Sequence, residues 1–245
     1  MRILFTNDDG CGSQGLHAVA DLFWREHEIA VVAPDGQRSG YSHSLTMREP
    51  VSVAQKSGYP YPVYAVGGTP VDCVKIAIKR VFRSPDIVVS GINAGRNLGS
   101  DIMYSGTVAA ASEGAYYGIR SFALSLASDA PTEAEIRRAA EFFYKNLSAL
   151  SQMTEPNILL NINFPTGEYR GVKAARMSTV MAFDDEYDDA DGKLRYRGLL
   201  RELSSRDTDE QYCGGGYVTL TPLTLDRTAQ DVLRRLKSKE RELCV

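Results

Sequence analysis

Arg2-Ile3-Leu4-Phe5-Thr6-Asn7-Asp8-Asp9-Gly10 is a short apolar run that ends in two adjacent carboxylates. Ile3, Leu4 and Phe5 are contiguous rather than alternating, as in a strand buried on both faces. Two like charges side by side are costly unless something cationic neutralises them. A strand that delivers such a pair at its carboxyl end predicts a metal ion there, provided other segments bring matching oxygen ligands. The plainer reading, a helix N-cap plus a solvated turn residue, fits less well because the pair follows a strand directly.

Outward from this stretch, strands and helices alternate. A helix is expected over about 15–25, with Leu16, Val19, Ala20 and Phe23 on one face. A buried strand at 28–33 ends at Pro34. The polar loop 35–47 holds Arg38-Ser39-Gly40-Tyr41-Ser42-His43, and a loop this long inside an α/β unit is more often functional than idle. Short strands at 51–54 and 63–66 lead to Thr69 as N-cap and Pro70 as first residue of a helix. Strand 87–89 runs into Ser90-Gly91-Ile92-Asn93, and a glycine- and amide-rich loop precedes a small-residue helix near Gly106-Thr107. Strand 121–126, an amphipathic helix beginning at Asp129 and Pro131 and running to about 150, and strand 158–164 continue the rhythm. The expected fold is α/β, a three-layer α/β/α Rossmann-like, mostly parallel sheet with residues 1–170 as its core. After about 170 the pattern changes to short strands near 172–177, 180–183 and 194–200, a hairpin around Asp191-Gly192, a strand at 217–221 and a basic helix over 227–242. Residues 171–245 are expected to form a hairpin, strand and helix extension that cannot bury itself alone and is used in oligomerisation. The whole is one functional domain.

Composition narrows the partners. The net charge of −3 and sequence pI near 5.7 argue against nucleic-acid binding by bulk electrostatics. No apolar run approaches ~18 residues, so no membrane span is expected. Met1 leads straight into a strand without a secretory leader, which points to the cytoplasm. The four cysteines form no CxxC pair, so zinc is not expected and reduced thiols are.

In open parallel sheets, ligands bind outside the carboxyl ends of the strands. The residues there are Asn7, Asp8 and Asp9 after the first strand, Ser39 after the second, and Asn93 after strand 87–89. Oxygen-only ligation selects one hard divalent cation, Mg²⁺ or Mn²⁺ in the first instance. Ser105-Gly106-Thr107 opens a helix, and backbone N–H groups with hydroxyls at such a point make an anion site, to which Asn97 adds an amide. A cation beside a phosphate cradle suggests phosphoryl hydrolysis.

One motif competes. Gly10-Cys11-Gly12-Ser13-Gln14-Gly15 is a literal GxGxxG between strand and helix, with Asp35 near the end of the second strand. By spacing this is a dinucleotide fingerprint and implies an NAD(P)-dependent oxidoreductase. Against it, the charges of Asp8 and Asp9 oppose a pyrophosphate approaching the same turn. Among the histidines, His43 in the Ser39 loop is the best functional candidate, with an ordinary loop histidine as the plainer reading. The acidic run 184–191 reads as a solvated hairpin tip rather than a calcium loop.

These motifs together resemble the SurE (survival protein E) family. They are Thr6-Asn7-Asp8-Asp9-Gly10, residues 33–40, Gly68-Thr69-Pro70-Val71-Asp72, residues 89–99, Tyr104-Ser105-Gly106-Thr107-Val108 and Gly216-Tyr217-Val218-Thr219-Leu220-Thr221-Pro222-Leu223. The resemblance implies a metal-dependent 5′-nucleotidase that cleaves nucleoside monophosphates, with 3′-nucleotides and short polyphosphate as further substrates of relatives. It implies metal ligation by Asp8, Asp9, Ser39 and Asn93 and phosphate contacts from Asn97, Ser105, Gly106 and Thr107. It also implies a homodimer or homotetramer whose C-terminal parts exchange. The residues themselves add Asn7 as a phosphate or substrate contact, and catalysis is expected of Asp8 and Asp9, with Asp9 as the water-activating base. The run Cys11-Gly12-Ser13-Gln14-Gly15 departs from the aliphatic residue and Ala-Pro-Gly turn of many members.

Overall fold

The computed structural model describes residues 1–179, 183–200 and 206–239. Its strands and helices are β1 (Arg2–Thr6), α1 (Gln14–Ala20), β2 (Glu28–Pro34), β3 (Val53–Lys56), β4 (Val63–Val66), α2 (Pro70–Ile76), β5 (Ile87–Ala94), α3 (Gly106–Tyr116), β6 (Arg120–Leu126), α4 (Glu133–Met153), β7 (Ile158–Phe164), β8 (Val172–Ala174), β9 (Phe183–Ala190), β10 (Lys193–Leu200), α5 (Asp209–Gly214), β11 (Val218–Thr224) and α6 (Gln230–Lys239). One sheet runs β3-β4-β2-β1-β5-β6-β7-β11-β8. It is parallel from β4 through β7, with antiparallel pairing at β3 and between β7 and β11. Mostly parallel, with helices on both faces, it has the expected α/β architecture.

The pleat explains the three layers. Alternate residues of a strand face opposite ways. Ile3 and Phe5 of β1 join one buried cluster with Leu16 and Val19 of α1 and Ile136 and Phe143 of α4. Leu4, between them, joins the other with Val74 of α2 and Ala110 of α3. The contiguous apolar run of β1 is thus used on both faces. Thr69 caps α2 in a reciprocal capping box with Asp72. Beyond Ile76 that helix widens into a π turn over Ala77–Val81.

Several boundaries differ from those expected. α1 ends at Ala20 rather than near 25, because the chain tightens into turns in which Leu22 and Phe23 donate to the carbonyls of Val19 and Ala20. Those turns keep Phe23 buried. α4 starts at Glu133, since the capping box forms between Thr132 and Glu135 rather than at Asp129. The acidic run 184–191 is not a hairpin tip. Most of it is strand β9, paired antiparallel with β10, and the tip is Asp191-Gly192, both at positive φ. The short helix α5 was not expected. Residues 180–182 of one expected strand and the last residues of the terminal helix lie outside the described residues. Strands β8 and β11 join the main sheet beside β7, whereas β9 and β10 pair with each other. Among the described residues, no helix is long and apolar enough to cross a membrane.

Sheet order sets the site. β1 lies between β2 and β5, so the chain proceeds one way from β1 through β2 and β4, and the other way from β5 through β6 and β7. Such a switch point leaves a crevice at the carboxyl ends of the strands. Asp8 and Asp9 leave β1 there, and Asn93 lies at the end of β5.

Candidate active site

Asp8, Ser39, Asn93, Asn97 and Ser105 line one cavity of about 870 Å³. Asp9, Gly106 and Thr107 adjoin it in the chain. Asp8 is buried, and its carboxyl accepts a hydrogen bond from the hydroxyl of Thr107, the second residue of α3. A Cβ built on Gly106 meets the Asp8 side chain at 2.8 Å. A glycine at that position therefore lets the start of α3 close on the carboxylate. Partial positive charge at a helix N-terminus favours an anion there, and the Asp8 carboxyl lies beside that end. Ser105 caps α3 by accepting from the Val108 N–H at 3.1 Å, which leaves its own hydroxyl proton to donate elsewhere.

Burial pushes Asp8 up to about 6, and the Asp9 charge pushes the same way, against the hydroxyl and amide of Thr107. Burial likewise raises Asp9, opposed by the Ala94 N–H that donates to its Oδ2 at 3.4 Å. Neither carboxyl meets a basic side chain in these contacts. An under-compensated pair of carboxylates, with a hydroxyl at Ser39 and an amide oxygen at Asn93, fits a hard divalent cation. Asn93 spends its Nδ2 on the Gly95 carbonyl at 2.8 Å, leaving the oxygen as its ligating end. A register shift between Ser90 and Asn93 in the β5–β6 pairing re-aims this end of the strand.

Other anticipated residues have different tasks. Asn7 is buried, and both ends of its amide serve the turn. Nδ2 donates to Gly10 O and Ser13 Oγ, and Oδ1 accepts from Gly10 N. Asn7 shapes the loop that presents Asp8 and Asp9. The Asn97 side chain donates to Ser125 Oγ at 2.7 Å, while its backbone is gripped by Asn161 and Asn163 of β7. That amide network was missed. Its signal was present in Asn161-Ile162-Asn163, where two amides on one face of a buried strand demand partners. His43 lies outside the cavity lining and pairs with Glu113 of α3 at 2.9 Å, beside Lys75. It ties the Ser39 loop to α3.

The dinucleotide reading of Gly10–Gly15 does not hold. The amides that would cradle a pyrophosphate are spent within the protein. Gly10 N donates to Asn7, Cys11 N to Pro34 O, and Ser13 N to Gly10 O. Gly15 serves packing instead, since a Cβ there would lie 2.0 Å from the Ile92 carbonyl oxygen of β5.

The family model described as Survival protein SurE matches residues 3–184. This chain belongs to the SurE family. A "5′-nucleotidase SurE" of Clostridium botulinum (strain ATCC 19397 / Type A) is 39% identical over 243 residues, covering 95% of this chain and 96% of that one. A protein of the same description from Pseudothermotoga lettingae is 39% identical over 251 residues, covering 98% and 95%. The crystal structure of the SurE protein from Aquifex aeolicus superimposes with a TM-score of 0.84 at 33% identity, covering 98% of this chain and all of that one. The end of β1, the Ser39 loop, the end of β5 and the start of α3 converge on one crevice in this chain.

The raised value of Asp8 has a measurable consequence. Its folded-state value of about 6 exceeds the ordinary 3.8, so the metal-free native state holds this proton more tightly than the unfolded chain. That contribution to stability is full below about 4 and is lost as pH rises through 6. In EDTA, the stability of wild type relative to Asp8→Asn should therefore fall between pH 4 and 6, read from paired thermal melts. Added Mg²⁺ should reverse the trend by favouring the ionised carboxylate. A difference that does not vary with pH would contradict the burial of this carboxyl.

Proposed function

We propose that this chain is a divalent-metal-dependent phosphatase that hydrolyses nucleoside 5′-monophosphates to nucleoside and phosphate. The observation that carries the reading is the closure of the α3 N-terminus on the Asp8 carboxyl beside Asp9. It puts an anion-attracting helix end and an uncompensated carboxylate pair at one point of one cavity. The relatives named 5′-nucleotidase SurE support the substrate class.

Asp8, Asp9, Ser39 and Asn93 are the proposed ligands of one Mg²⁺ or Mn²⁺ ion. Such an ion supplies positive charge to the phosphate oxygens and acidifies water. The chain's own groups do the rest. The Ser105 hydroxyl and the first amides of α3 receive phosphate oxygens. Thr107 keeps the Asp8 carboxyl in place through its hydroxyl. A water oxygen bonds to phosphorus as the bond from phosphorus to the 5′ oxygen breaks. Asp9 takes the water proton on its carboxylate and returns it to the departing 5′ oxygen. The 3′-nucleotides and short polyphosphate belong to the proposal as secondary substrates.

The exposed apolar side chains of the hairpin and α6, Tyr187, Leu194, Val232 and Leu236, support assembly into a homodimer or homotetramer with exchanged C-terminal parts. Residues 171–245 then act as the assembly extension of a 1–170 core, in the cytoplasm.

Phosphate release from AMP should appear with Mg²⁺ or Mn²⁺ and vanish in excess EDTA. No metal-dependent release across a panel of nucleotides would refute the proposal.

A further inference from the structure

Ser39 reaches the cavity from a loop that is tied down on both sides of it. Upstream, the Arg38 N–H donates to Asp8 O at 2.7 Å, which fixes that side to the end of β1. Downstream, the ties are at Ser42, His43, Ser44 and Thr46. Ser42 donates its hydroxyl to Met103 O at 2.7 Å and its N–H to Tyr104 O at 3.1 Å. His43 Nε2 lies 2.9 Å from Glu113 Oε2 of α3. Ser44 O accepts from the Thr69 hydroxyl at 2.8 Å, and Thr46 donates through its N–H and its hydroxyl to Asp72. The Ser44 and Thr46 ties end on the cap of α2, and those of Ser42 end just before α3. The His43 tie ends on α3 itself.

The same helix holds Asp8, through the hydroxyl of Thr107 in its first turn. Glu113 lies further along α3, about 9 Å from Thr107 along the helix axis at 1.5 Å per residue. One rigid element therefore carries an attachment for Asp8 and an attachment for the loop that presents Ser39. Glu113 is buried, and each of its oxygens has a partner, Oε2 in His43 and Oε1 in Lys75 Nζ at 2.6 Å. Burial pushes this carboxyl up, but the hydrogen bonds from His43 and Lys75 outweigh it and hold it low. A carboxylate only accepts, so the imidazole Nε2 carries the hydrogen. The ring also makes a T-shaped contact with Tyr116 of α3, with centroids 5.9 Å apart. The loop as a whole does not depend on this bond, since Ser42, Ser44 and Thr46 are anchored without it.

We propose that His43 is a positioning residue for the divalent cation: its bond to Glu113 fixes the Ser39 loop against α3 and so holds the Ser39 oxygen in place relative to the Asp8 carboxyl. The inference rests on the reading of Asp8, Asp9, Ser39 and Asn93 as ligands of one cation. A cation binds tightly where its oxygen donors are already in place, and more weakly where binding must first order one of them. His43 therefore acts on metal affinity while touching neither the metal nor the substrate.

The test measures Mn²⁺ binding by calorimetry in wild type, His43→Ala and His43→Gln, with thermal melts of each in EDTA. His43→Ala should weaken Mn²⁺ binding by about tenfold, the lower end of what losing a supporting contact costs a metal site. His43→Gln, whose amide N–H reaches the same carboxylate, should restore most of that affinity. The Mn²⁺ concentration for half-maximal phosphate release should rise in step with the binding constant, while kcat at saturating Mn²⁺ stays close to wild type. A lower Tm in EDTA with unchanged Mn²⁺ affinity would make His43 a structural residue and overturn the proposal. Equal weakening in the alanine and glutamine variants would overturn it as well, because the hydrogen bond would not be the cause. Should the alanine variant not fold, His43→Asn, whose amide stops short of Glu113, takes its place with the same outcomes. Wild type that binds no Mn²⁺ would overturn the metal reading itself and the proposal with it.

Discussion

Asp8→Asn should abolish nearly all metal-dependent phosphate release, by roughly 10³-fold or more in kcat, while the protein stays folded. The substitution keeps an oxygen that accepts the Thr107 hydroxyl, so the join between β1 and α3 survives. It removes the charge that holds the cation. A cation that neutralises developing phosphate charge is worth several kcal/mol of barrier, about tenfold in rate for each ~1.4 kcal/mol. Removing the charge costs the metal-free protein no stability, because burial already disfavours the ionised carboxyl there. The measurement is phosphate release from AMP and from p-nitrophenyl phosphate over a range of Mg²⁺ and Mn²⁺. Wild-type turnover at any metal concentration would remove Asp8 from the metal site.

Gly15→Ala should be the most damaging single methyl group in the N-terminal turn. A Cβ at that position falls 2.0 Å from the carbonyl oxygen of Ile92 and 3.0 Å from its carbon. Both are backbone atoms of a central strand and cannot swing aside. Overpacking costs about 1–3 kcal/mol when side chains can yield, and here only α1 or β5 can move, so about 3 kcal/mol or more is expected. In a chain of this size that lowers Tm by about 6–12 °C. Gly12→Ala is the matched control. Nothing lies within 4 Å of a Cβ there, and its melt should match wild type. If the two variants melt alike, the close approach of α1 to β5 is wrong.

The same pair of glycines shows why the motif misleads. GxGxxG spacing encodes a tight turn followed by close helix–sheet packing, and both needs exist here without a dinucleotide. Whether the turn's amides are free for a ligand depends on Pro34 O and the Asn7 side chain, and spacing carries no information about them. His43 is a similar case. Its partner Glu113 is 70 residues away, on a helix face that no local pattern assigns to the Ser39 loop. Asn97 lines the cavity as well, but only the folded chain shows that its backbone N–H and one side-chain N–H go to Asn163 and Ser125 on neighbouring strands.

What the sequence determined by itself is the chemistry on offer and the layered α/β fold. Contiguous apolar strands, amphipathic helices and caps at Thr69 and Ser105 are local, and short-range sterics and burial settle them. The adjacent carboxylates Asp8 and Asp9 were legible for the same reason, since their repulsion is a property of neighbours in the chain. The tertiary structure alone decided which donors remain for a ligand. Hydrogen bonds are satisfied across space, so Thr107 turned to Asp8 and Asn7 closed its own turn. Asp8 and Asp9 therefore stand as an uncompensated pair at the switch point between β2 and β5, where the sheet order, not the strand that carries them, places the start of α3.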